Sequence, residues 1–251
     1  MQLLDDILWN LATPNRIRRA LRRSLHPPKS VFETESPISG KIRVIDRGRE
    51  RELYIGNTCH SFLFTRGSWD EIEGEYYSHL HRGPYVPTKC RDVLMCGLGG
   101  GVALHAMARQ LQPKSITVIE LDPAIVDVAR RYFMLDSLNV EILPGAAAER
   151  VAALGRSGRL FDLVIEDAEL LPVHANQGLA LDRFAGLAAI LGAGGSVAMN
   201  APYFDKEGRG RIDAFMEQLL RRNFEIDQML IHSRWATNCV LYSRRSRIPN
   251  K

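Results

Sequence analysis

Between Val31 and Thr65 apolar and polar residues alternate with a period of two, in the runs Val31 to Glu35, Gly40 to Asp46, Arg51 to Ile55 and Cys59 to Phe64. Short polar turns at Arg47-Gly48-Arg49 and Gly56-Asn57 separate the later runs, which predicts a small antiparallel sheet. About 35 residues with few large apolar groups cannot bury a core alone, so this sheet must lean on the rest of the chain or on a second copy. Ahead of it, Leu3 to Leu25 carries apolar residues at helical spacing, broken at Thr13-Pro14, and reads as two short amphipathic helices. Trp69 to Pro87 is aromatic and acidic and predicts a helix from about Asp70 to His81.

From Lys89 the pattern becomes an alternation of buried strands and helices, as in a doubly wound parallel sheet. Strands are expected at Asp92 to Cys96, Ser115 to Leu121, Asn139 to Leu143, Leu160 to Asp167 and Gly194 to Asn200, and an antiparallel pair at Phe224 to His232 and Thr237 to Ser243 closes the sheet. The fold class is therefore α/β, with a mostly parallel seven-stranded sheet and a small N-terminal antiparallel β domain. The expected organisation is a basic helical segment over residues 1–28, the β domain over 29–68 and the α/β domain over 69–251.

Candidate chemistry gathers at the strand ends. Gly97, Gly99 and Gly101 follow the first strand of the alternation and permit positive φ, and the helix after them points a partly positive N-terminus at any ligand over the turn. Roughly twenty residues further on, the next strand ends in Glu120 and Asp122, where this kind of fold places the carboxylate that binds ribose hydroxyls. Because ligands sit outside the carboxyl ends of parallel strands, Gly145 and Ala146 after the third strand and Asp167 after the fourth belong to the same candidate site. Val102 occupies the position where a dinucleotide fingerprint wants a small residue, so the spacing fits S-adenosylmethionine better than a nicotinamide cofactor. Glu166-Asp167 would equally serve to cap a loop or helix.

Composition changes little. The chain has 251 residues, 45% of them hydrophobic, and a formal charge of +4. Its arginine clusters at 16–23 and 244–247 have no interleaved aromatics, so nucleic acid is not an expected partner. Cys59, Cys90, Cys96 and Cys239 show no metal-ligand spacing, so reduced thiols and no metal are expected. Asp5 and Asp6 interrupt the N-terminal apolar residues and no later run approaches a membrane span, which predicts a soluble, cytoplasmic protein.

The order of parts, GKIRVID, RELYIGN, CHSF, WDEIEGEYYSHL, VLMCGLGGG, VIELDP and FDLVIEDAELLP, resembles the spermidine synthase (polyamine aminopropyltransferase) family over about residues 31–200. The chain is similar to a divergent member of it, on the class I S-adenosylmethionine-dependent methyltransferase fold. The resemblance implies decarboxylated S-adenosylmethionine as co-substrate and a polyamine amine as acceptor, and the small β domain makes a homodimer an expectation. It implies that Gly97, Gly99 and Gly101 form the nucleotide turn, that Glu120 binds ribose, and that Asp167 orients or deprotonates the amine. His60, Tyr76, Tyr77, His79 and Glu169 are candidates for lining the substrate, although the aromatics would serve equally as packing. The chain departs from the family pattern in three places. Gly100 stands where an Asp usually holds the aminopropyl ammonium; Pro144-Gly145-Ala146-Ala147 lacks the Asp that meets the adenine amino group; and after Asp167 the loop offers Glu169 out of register instead of a second Asp. These departures keep open a methyltransferase on the same scaffold, since an acid at position 100 would repel a retained carboxylate. They also leave open a catalytically silent paralogue acting as a binding or assembly module.

Overall fold

A computed structural model of the chain describes residues 24–66, 69–72, 74–168, 177–232 and 237–246. Most of the expected N-terminal helical pair and the C-terminal end of the basic tail lie outside these residues. The alternating segment forms strands β1 (Lys29–Ser36), β2 (Gly40–Arg47), β3 (Glu50–Ile55) and β4 (Thr58–Phe64), paired antiparallel in sequence order. Period-two alternation turns Ile42, Val44, Leu53 and Leu63 inward, each fully buried. They join one core with Val102, Leu104, Met107 and Phe133 of the second layer, so the small sheet solves its burial problem within its own chain.

The remainder folds as β5 (Asp92–Cys96), α1 (Val102–Leu111), β6 (Ser115–Glu120), α2 (Pro123–Phe133), β7 (Val140–Pro144), α3 (Ala147–Arg156), β8 (Phe161–Glu166), α4 (Gln177–Ala189), β9 (Leu191–Tyr203), α5 (Lys206–Arg221), β10 (Phe224–His232) and β11 (Thr237–Arg245). The sheet order is β10-β11-β9-β8-β5-β6-β7, parallel from β9 to β7 and antiparallel where β11 joins β9 and β10. Both faces are covered, because alternate residues of one strand feed different cores. Val93 and Met95 pack with the small sheet and helices α1 and α2, whereas Leu94 and Cys96 pack with α3, α4 and α5. Helix α2 starts at Pro123 with Asp122 as its cap, the Asp122 carboxylate accepting from the backbone N–H of Ala124 at 2.9 Å.

The expected helix from Asp70 to His81 does not form. In its place are two short 3-10 turns, Trp69–Ile72 and Tyr76–Ser78. The aromatic side chains are drawn to separate partners. Trp69 stacks on His105 with centroids 4.6 Å apart, the Tyr76 hydroxyl donates to Asp167, and the Tyr77 hydroxyl donates to the Phe62 carbonyl. Tertiary contacts override a weak helical pattern that already contained Gly74.

None of the four cysteines is in a disulfide; Cys90, Cys96 and Cys239 are buried and Cys59 is exposed. No helix among the described residues is long and apolar enough to cross a membrane. His81 is buried beside Gln110, whose Oε1 lies 2.9 Å from its Nε2, and desolvation lowers its pKa from 6.5 to about 4. A folded state that binds protons less readily than the unfolded chain loses stability as acid is added. Stability from this group is fully present above pH 6.5 and lost as pH falls toward 4, by about 3 kcal/mol. The slope of stability against pH in that window, measured by thermal unfolding, should flatten in His81→Asn; an unchanged slope would assign the acid limb to another group.

Candidate functional site

The ends of four parallel strands are stitched together by main-chain bonds. Gly97 N donates to the Ile119 carbonyl at 2.9 Å, Gly145 N to the Glu120 carbonyl at 2.9 Å, and Asp167 N to the Cys96 carbonyl at 3.0 Å. Gly97, Gly99 and Gly101 have φ of 86°, 52° and 71°. The Gly97 requirement is steric as well as conformational, since a Cβ there would lie 2.9 Å from the Asp167 carbonyl oxygen.

Glu120 bridges the turn and the next loop. One carboxylate oxygen accepts from Leu98 N at 2.9 Å and the other from Asp122 N at 2.8 Å. Each oxygen keeps a lone pair for a further donor. The small sheet reaches the same region through two serines. Ser61 Oγ accepts from Gly100 N at 2.9 Å, and the Ser36 hydroxyl donates to the buried carboxylate of Asp122 at 2.5 Å. Burial alone would raise the Asp122 pKa, but hydrogen bonds from Ser36, Ser39 and the Ala124 N–H outweigh it and hold the carboxyl below its usual range.

These elements border a cavity of about 470 Å³. Gly97, Gly99, Glu120, Gly145, Ala146 and Asp167 all line it, together with His60, Tyr76 and Tyr77. Gly101 stands behind it as the left-handed N-cap of α1, and His79 is not part of its lining; the His79 carbonyl accepts from the Tyr242 hydroxyl at 2.8 Å. Glu169 lies outside the described residues.

Asp167 is held from two sides. The Tyr76 hydroxyl donates to one oxygen at 3.1 Å, and Asn200 Nδ2, from β9, donates to the other at 3.0 Å. Burial and the adjacent negative charge of Asp167 raise the Tyr76 pKa well above its usual value, so the phenol remains a donor. Behind Asp167, the buried Glu166 accepts from Arg183 Nη2 at 3.0 Å and from Ala168 N at 3.1 Å, and burial raises its pKa. At Gly100 an added Cβ would lie 2.9 Å from the Phe133 ring and 3.0 Å from Ser61 Cβ, so an acid side chain there would displace both. No cluster of three or more potential metal ligands occurs among the described residues.

Ser61, Asn200 and Arg183 were not singled out from the sequence. Asn200 carried a usable signal, because it closes the apolar run Val197-Ala198-Met199 just as Asp167 closes its own. Ser61 and Arg183 carried none, since a serine in an alternating strand and an arginine in a surface helix are ordinary residues.

A glycine turn, a strand-end acid and a second acid border one cavity on a sheet of this order, which is a methyltransferase-like architecture. Residues 75–233 match the model of the spermine/spermidine synthase domain, and the chain belongs to that family. It is similar to a polyamine aminopropyltransferase of Vibrio vulnificus, with 31% identity over 90 residues, 34% of this chain and 30% of that protein. It is similar also to a polyamine aminopropyltransferase of Mycobacterium tuberculosis, with 31% identity over 135 residues, 51% of this chain and 24% of the relative. The matches thus span less than a third of either relative's length. Among solved structures, a spermidine synthase in complex with the transition-state analogue AdoDATO superposes with a TM-score of 0.65 at 15% identity, covering 86% of this chain and 72% of that one. Spermidine synthase from Thermotoga maritima gives 0.65 at 14% identity, covering 86% and 73%. At such identities the likeness shows the fold.

Proposed function

We propose that the chain transfers an aminopropyl group from decarboxylated S-adenosylmethionine to an amine. The observation that carries this reading is the Asp167 carboxylate, fixed between Tyr76 and Asn200 and facing the cavity that Glu120 and the glycine turn also line. In the reaction the amine lone pair attacks the methylene next to the sulfonium, the carbon–sulfur bond breaks, and its electron pair returns to sulfur. The products are neutral methylthioadenosine and a secondary ammonium that releases a proton. Such a step needs alignment and an unprotonated nucleophile more than covalent help. Asp167 supplies an acceptor for the amine N–H and a counter-charge to the proton it sheds, while its two donors keep the carboxylate aimed.

A methyltransferase is favoured by a different observation: Phe133 and Ser61 close the space at Gly100, and position 100 itself offers no acid side chain to the ammonium of an aminopropyl group. One experiment separates the two. Titration calorimetry with S-adenosylmethionine, its decarboxylated form and methylthioadenosine, followed by product analysis with a panel of amines, should show tighter binding of the decarboxylated form and release of methylthioadenosine. Preference for the carboxylated ligand, or release of S-adenosylhomocysteine, would rule out aminopropyl transfer.

A further inference from the structure

Tyr76 and Asn200 aim the Asp167 carboxylate, but the main chain that carries it has to be set as well, and the residue before it supplies the means. The Glu166 side chain is 1% exposed, and its Oε1 accepts both from the backbone N–H of Ala168 at 3.1 Å and from Arg183 Nη2 at 3.0 Å. A side chain that reaches past its neighbour to the N–H two residues on closes a tight turn around that neighbour, as Asx turns do with a shorter side chain. Here the enclosed residue is Asp167. The peptide so held, from Asp167 to Ala168, also lies against the glycine turn, since a Cβ at Gly97 would meet the Asp167 carbonyl oxygen at 2.9 Å and Ala168 N at 3.2 Å. One side of that peptide is packed against main chain, and its N–H is tied to a carboxylate.

A buried carboxylate is costly without a charged partner. Arg183 provides one from α4, a helix seated by Leu181 and Phe184, which are buried in the same core as Leu94, Cys96 and Val164. Phe184 is fixed further by edge contacts with Phe215 and Phe224. Because a single oxygen of Glu166 takes both bonds, the place of α4 dictates where the acceptor for Ala168 N sits. Buried ion pairs give little stability that well-packed apolar residues of similar volume would not give. What this pair provides that apolar residues could not is a hold on the Asp167–Ala168 peptide.

We propose that Glu166 is a positioning residue for Asp167, locked in place by Arg183: the pair fixes the peptide after Asp167, and with it the direction in which the Asp167 carboxylate enters the cavity. Neither residue needs to touch the reacting atoms. The inference rests on the proposed function, in which Asp167 orients the acceptor amine.

Steady-state transfer from decarboxylated S-adenosylmethionine to a panel of primary amines tests it, beside calorimetry with methylthioadenosine and thermal unfolding, on the wild-type protein and three variants. Glu166→Met removes the acceptor for Ala168 N and leaves a guanidinium that, 29% exposed, can still reach water. Glu166→Met/Arg183→Met replaces the pair by apolar groups and supplies the comparison if the single variant does not fold. Glu166→Gln keeps an oxygen for Ala168 N. The expected result is a kcat at least about tenfold lower in Glu166→Met, the scale of a small misplacement of a reacting group, with methylthioadenosine affinity within about threefold of wild type. The double variant should be no slower than the single one, because the two residues act as a unit, and Glu166→Gln should recover most of the rate. Wild-type kcat in folded Glu166→Met or in the folded double variant overturns the inference and leaves the pair a structural tie between β8 and α4. A loss confined to methylthioadenosine affinity, a Glu166→Gln variant as slow as Glu166→Met, or a double variant much slower than the single one overturns it as well. A wild-type protein that transfers nothing to any amine removes the proposed function, and this inference with it, before any variant is compared.

Discussion

Asp167→Asn should lower the rate of group transfer by about 10²- to 10⁴-fold, the usual range for losing a positioned acid–base group, while methylthioadenosine binds within about threefold of its wild-type affinity. The substitution keeps the shape and removes the charge. Tyr76 and Asn200 both donate to the carboxylate, so an amide there must present its own NH₂ to one of them. A hydroxyl can rotate to accept, which lets the fold tolerate the change, but the amine then has neither a counter-charge nor an acceptor aimed at it. Single-turnover transfer measured beside equilibrium binding separates the two effects. Unchanged turnover with bound nucleotide would remove Asp167 from the reaction and leave it a structural anchor for the β8 loop.

Gly97→Ala should damage both stability and nucleotide binding. A left-handed backbone costs a non-glycine residue about 1–2 kcal/mol, and overpacking adds about 1–3 kcal/mol. Here the added methyl would press on the Asp167 carbonyl oxygen at 2.9 Å and on Ala168 N at 3.2 Å, main-chain atoms that no rotamer change can move aside. The bond from Asp167 N to the Cys96 carbonyl closes the same small loop, so relief would have to displace Asp167 itself. A destabilisation of about 2–5 kcal/mol lowers the unfolding midpoint of a chain this size by roughly 4–20 °C, with nucleotide affinity expected to fall in parallel. A midpoint within a degree of wild type would show that the turn has slack the geometry does not suggest.

Much of this arrangement was legible in the sequence, for reasons that differ from one residue to the next. The parallel sheet is written in contiguous runs such as Val93 to Cys96 and Ile116 to Ile119, fully buried strands that no amphipathic helix imitates. The Asp122-Pro123 pair marked the start of α2, and Glu120 and Asp167 stood out as acids at the ends of apolar strands. The segment from Trp69 to Ser78 was misread because its structure is set by distant partners, His105, Asp167 and Phe62, that local periodicity cannot register. Ser61 escaped for the same reason, as its partner Gly100 is 39 positions away. Gly100 itself was flagged only as a departure from a family pattern; the packing of Phe133 and Ser61 against it gives that departure a steric cause.

Those two serines have one more consequence. Ser61 holds the main chain of the glycine turn and Ser36 holds the cap of the helix that follows Glu120, so each end of the cradle is bolted from the other sheet. A cradle braced from outside is set before its ligand arrives, and little ordering entropy is left to be lost on binding. The four-stranded layer is thus better described as the site's scaffolding than as a neighbouring module. Ser36, which does not line the cavity, becomes a place where inherited variation can alter the cavity's shape from outside it.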